Sequence, residues 1–65
     1  MLTYRDINEL NRAVFLATEI KRPMNIDIMS SNMEILKEIE NLGFKVKFNN
    51  YIDYVDNGGM NITIE

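Results

Sequence analysis

Three pentapeptides in this chain alternate strictly between apolar and polar residues: Met24-Asn25-Ile26-Asp27-Ile28, Phe44-Lys45-Val46-Lys47-Phe48 and Met60-Asn61-Ile62-Thr63-Ile64. A side-chain period of two belongs to a strand with one dry face and one wet face. The layer that covers the dry faces must therefore come from one side only. Its helices are also legible. Ile7, Leu10, Val14 and Ala17 recur at helical spacing, and Ala13, Leu16 and Ile20 widen that stripe to about half the circumference. Ile35, Leu36, Ile39 and Leu42 form a second stripe, opposite Glu34, Lys37, Glu38 and Asn41. The order α-β-α-β-(β)-β predicts an α/β two-layer sandwich, with two helices on one face of a small mixed sheet. The first strand, second helix and following strand are expected to form a βαβ unit.

Local signals mark the element ends. Thr3 with Asp6 three residues on is a short-armed capping box, and Leu2 and Ile7 occupy the staple positions around it. Pro23 disfavours helix in the residue before it, so the first helix should fade near Lys21-Arg22. Ser31-Asn32-Met33-Glu34 reads as a capping box opening the second helix. Gly43 should stop that helix in a left-handed conformation, with Phe44 folding back on Ile39. Asn49-Asn50 and Asp56-Asn57-Gly58-Gly59 are turn signals. Between them Tyr51-Ile52-Asp53-Tyr54-Val55 is β-rich without an evident inner face, and is expected to be extended. No repeat or linker divides residues 1–65, which are expected to make one domain.

Size sets the next constraint. A 65-residue chain buries only about 60% of its unfolded surface and usually needs a staple. With no cysteine, disulfides and thiolate metal sites are excluded; with no histidine, the commonest general base and metal ligand are missing. A shared interface is the remaining route to a larger core. Tyr4 and Phe15 lie on the far flank of the first helix, so Tyr4, Phe15 and the adjoining Leu16 are candidate interface residues of a homo-oligomer.

The chemistry a site would need is thinly supplied. Glu34, Glu38 and Glu40 share a helix with Lys37, which describes a solvated surface better than an acid/base pair. Asp53, Asp56 and Asn57 lack the spacing and closing glutamate of a calcium loop. Gly58-Gly59 lacks the Lys-Ser/Thr and helix of a phosphate loop. Neither a cofactor nor a metal is expected, and an enzyme is the third-ranked reading. Duplex DNA is disfavoured as a partner, because the second helix is acidic and the chain carries a net charge of −3. The sheet offers Lys45 and Lys47 with Tyr51 and Tyr54, a candidate face for stacking single-stranded bases. No apolar run is long enough to span a bilayer and no leader pattern opens the chain, so a cytoplasmic location without membrane contact is expected.

Ser31, Leu42-Gly43-Phe44-Lys45-Val46 and Ile62-Thr63-Ile64 carry a resemblance. From Ile26 to Ile64 the chain resembles a pattern found in small bacteriophage proteins, in which a helix leads to a strand, a Ser-capped helix, a Leu-Gly-aromatic stop and a closing hairpin. Those proteins often end in Ile-Ser-Trp, where this chain has Ile62-Thr63-Ile64-Glu65. The resemblance implies the fold already read and a phage-encoded origin, and it carries over no catalytic or binding residues. The expected function is a non-catalytic interaction or assembly protein acting through protein–protein contacts, as an accessory factor or as an inhibitor of a host or defence protein. Its partners would be itself and an unidentified protein. The alternative is a single-stranded nucleic-acid binder using the sheet face.

Overall fold

The computed structural model describes residues 1–52 and 58–65. Helix α1 spans Tyr4–Ile20, strand β1 Met24–Ile28, helix α2 Glu34–Asn41, strand β2 Val46–Ile52 and strand β3 Gly59–Ile64. Both helices pack on one side of a three-stranded sheet: α1 meets β1 and α2, and α2 meets β2. The α/β two-layer arrangement and its element order are those read from the periodicities. The bracketed extra strand is not separate, since Tyr51-Ile52 continue β2 and residues 53–55 lie outside the described residues.

Strand adjacency corrects the mixed sheet. The order is β1-β3-β2, and β3 pairs antiparallel with both neighbours. Strands β1 and β2 therefore run in the same direction, as a βαβ unit requires, but β3 lies between them and no parallel pair forms. Period-two patterning says which side of a strand is dry and nothing about its neighbours. Burial ranks them: Met60, Ile62 and Ile64 of the central strand are all fully buried, while Val46 and Phe48 on the edge are only half-buried.

The core joins those three residues to Met24, Ile28, Ile35, Leu36 and Ile39, with Ala13 and Ala17 as the buried contacts of α1. Small residues let α1 sit close to the sheet, so Leu10 and Leu16 pack around the contact rather than under it. Ile7 and Ile20, expected in the dry stripe, stay largely exposed at its margins.

The first capping box is present, with the Asp6 N–H donating to Thr3 Oγ1 at 3.2 Å and the Thr3 N–H donating to Asp6 Oδ2 at 3.0 Å. The second is corrected. Ser31 is exposed and caps nothing; Asn32 Oδ1 instead accepts the Glu34 N–H at 3.0 Å. Leu42 is likewise not part of the dry side of α2. It follows the last helical turn and is 59% exposed. The stop itself is as expected. Gly43 has φ +100, its N–H donates to Glu40 O at 2.9 Å, and the Phe44 N–H reaches back to Ile39 O at 3.4 Å. This is the paired-bond pattern of a Schellman stop.

Asn49-Asn50 does not form a turn. Strand β2 runs through it with a bulge, because Phe48 pairs with Ile62 and Asn50 with Asn61, leaving Asn49 as the extra residue. The turn expected at 56–59 lies partly outside the described residues; within them, Gly58 has φ +71.

Candidate interaction surfaces

The outward face of α1 carries exposed apolar side chains. Tyr4 is 82% and Phe15 62% exposed, and Ile7 adds a further 44%. Tyr4 and Phe15 are eleven residues apart, which is three turns, so they point within about 20° of each other. Ala13 and Ala17 point the opposite way, into the core. The two rings thus stand on the side of α1 remote from the sheet, with Asn8 and Asn11 between them. Leu16, named with them from the sequence, is half-buried and packs against the core cluster.

The open face of the sheet is a carpet of amides. Asn61, on the central strand, donates through Nδ2 to Asn25 Oδ1 at 2.6 Å and to Asp27 Oδ1 at 2.8 Å. Asn49 Nδ2 donates to Asn61 Oδ1 and to Thr63 Oγ1, each at 2.9 Å. The bulge has a consequence for the candidate stacking face. By parity Tyr51 would share a side with Lys45 and Lys47; the extra residue moves it to the other side, opposite buried Met60. There its ring stands edge-on to Phe48, with centroids 4.9 Å apart. Lys45 and Lys47 keep the open face without Tyr51, and Tyr54 lies outside the described residues.

A buried polar node was not anticipated beyond its capping role. Asp6 is only 5% exposed, and its carboxylate accepts from the Ser30 hydroxyl, from Asn32 Nδ2 at 2.9 Å and from the Thr3 N–H. The Ser30 hydroxyl, with help from the Thr3 N–H and Asn32 amide, holds the carboxyl far below the ordinary carboxylate range despite burial. Ser30 also accepts the Asn32 N–H at 3.1 Å. The node pins the start of α1 to the β1–α2 loop, and the Met1 ammonium on Glu34 at 2.8 Å adds an exposed tie nearby. The sequence signal was the serine pair before Asn32, of which the first, not the second, is structural.

Two hollows flank the start of β2. A groove of about 540 Å³ is lined by Ala17, Lys21, Arg22, Pro23, Phe44 and Glu65. A smaller one of about 220 Å³ lies over Lys45, Val46, Lys47, Thr63 and Glu65. Among the described residues no cluster of carboxylates could hold a metal ion, and no helix is long and apolar enough to cross a membrane. No protein-family model matches the chain, and no curated protein or solved structure matches it either.

Proposed function

We propose that this chain is a non-catalytic interaction protein that acts through protein–protein contacts, with the outward face of α1 as its contact surface and a second copy as its first partner. The observation that carries the reading is the exposure of Tyr4 and Phe15 on one line of α1, pointing away from the core. Aromatic anchors on a rigid helix are the residues that most often dominate protein interfaces. A small chain without disulfides gains most from such a shared surface.

Light scattering over a roughly hundredfold concentration range is the direct test, because self-association follows mass action. The wild type is expected to show at least twice the 7.6 kDa chain mass at the upper end. Phe15→Glu is expected to return it to monomer and, by removing the shared surface, to lower its melting temperature. A wild type that stays monomeric throughout ends the self-association reading. Salt-dependent retention on a single-stranded oligonucleotide column, lost in Lys45→Ala/Lys47→Ala, would instead favour the nucleic-acid alternative.

A further inference from the structure

The two edges of the sheet are finished in different ways. Around the end of β1, side chains of α1 take up part of the outward backbone: Arg5 donates to Met29 O at 2.8 Å, Glu9 accepts the Met29 N–H at 3.2 Å, and Arg12 donates to Asp27 O at 3.3 Å. That edge is partly covered, at Asp27 and Met29. Strand β2 is finished differently. Lys45 and Glu65 exchange both backbone bonds, at 3.2 and 2.8 Å. Antiparallel ladders alternate, so Lys47 and Thr63 form the next bonded pair, and Val46 and Phe48 turn their N–H and C=O groups away from β3. Among the described residues no side chain reaches those four groups.

We infer that the outer edge of β2, from Lys45 to Phe48, is a docking site for an extended acidic segment of another protein, added to the sheet as a fourth strand. Charge and parity select this occupant. Lys45 and Lys47 project from the open face, and among the described residues neither forms an ion pair. Glu65 lies across from Lys45, one strand in from the edge. An added strand would set its residues opposite Lys45 and Lys47 on the open face, where carboxylates are favoured. Its alternate residues would lie beside half-buried Val46 and Phe48, with the Tyr51 ring at the far end, where apolar side chains are favoured. A second copy of the same edge fits poorly. Antiparallel self-pairing through Val46 and Phe48 sets Lys47 directly against its own copy, and the bulge at Asn49 ends the flat run after Phe48.

The test uses a fluorescent octapeptide of alternating Glu and Val, followed by anisotropy, with amide exchange measured on the full chain. Binding is expected with added protection at the Val46 and Phe48 amides. The double variant Lys45→Glu/Lys47→Glu should weaken binding about tenfold or more. Val46→Pro removes one outward N–H while sparing the ladder to β3, and should weaken binding with an unchanged circular dichroism spectrum. N-methylation of the peptide at alternate residues should abolish binding on one register and spare it on the other. Absence of binding at millimolar peptide overturns the proposal. So does equal binding of peptides methylated on either register, or protection elsewhere than Val46 and Phe48. Protection of those two amides without peptide, together with a doubled mass, would assign the edge to a second copy and overturn it too.

Discussion

Replacing Asp6 with alanine tests the node that joins α1 to the β1–α2 loop. The carboxylate accepts three hydrogen bonds, from Ser30, Asn32 and Thr3, and is nearly inaccessible to water. A hydrogen bond to a charged group contributes roughly 1.5–3 kcal/mol, but the three losses do not add. The Thr3 N–H can turn to water and the Ser30 hydroxyl can rotate, leaving about one buried bond and half a cap uncompensated. The expected cost is about 3 kcal/mol. A domain of this length holds only about 3–10 kcal/mol in all, so the variant should sit near the edge of folding. Thermal and urea denaturation followed by circular dichroism would show it as a drop in melting temperature of about 12–24 °C. Acid gives a second signature. The folded pKa of Asp6 lies below its unfolded value, so its stabilisation is complete above about pH 4 and fades as the pH falls towards the folded value. The gap between wild type and Asp6→Ala should therefore narrow below pH 4. A variant within about 0.5 kcal/mol of wild type at pH 7 would refute the reasoning, since ordinary surface changes fall in that range. A gap that stays constant in acid would refute the ionised state.

Further outcomes follow from individual residues. Gly59→Ala would place a Cβ 2.6 Å from Ile28 O, a backbone atom, so β1 and β3 must part; a loss of about 2 kcal/mol or more in urea denaturation is expected. Gly43→Ala meets nothing within 4 Å but keeps φ +100, so only backbone strain of roughly 1 kcal/mol is expected, and an unchanged midpoint would place the helix stop elsewhere. Asn32→Ala should cost about 1–2 kcal/mol, through its bonds to Glu34 and Asp6, whereas Ser31→Ala should be neutral; the reverse order in melting temperature would restore Ser31 as the cap. Arg12→Ala, which removes the Arg12 bond to the Asp27 carbonyl on the β1 edge, should raise aggregation rate under light scattering with a stability change of about 0.5 kcal/mol or less.

What this sequence determined by itself is what short-range physics can encode. The period-two pentads chose which side of each strand is dry. Thr3 with Asp6 opened α1, and Gly43 before Phe44 closed α2 by hydrogen bonds spanning only five residues. The two-layer fold followed, because one-sided strands and striped helices have few other ways to bury apolar surface. The exposure of Tyr4 and Phe15 was equally readable, since helical spacing alone put them opposite Ala13 and Ala17. Tertiary structure decided whatever depends on groups far apart in the chain. β3 took the centre of the sheet, where its two neighbours and two helices cover Met60, Ile62 and Ile64 together. One extra residue, Asn49, reversed the sides of the remaining β2 residues, Asn50 to Ile52, and parted Tyr51 from Lys45 and Lys47. Ser30 displaced Ser31 because a carboxylate 24 residues earlier drew it inward. The two sheet edges became unlike only when α1 came to rest along β1, bringing Arg5, Glu9 and Arg12 to the backbone of Asp27 and Met29, while among the described residues no side chain reaches the outward groups of Val46 and Phe48.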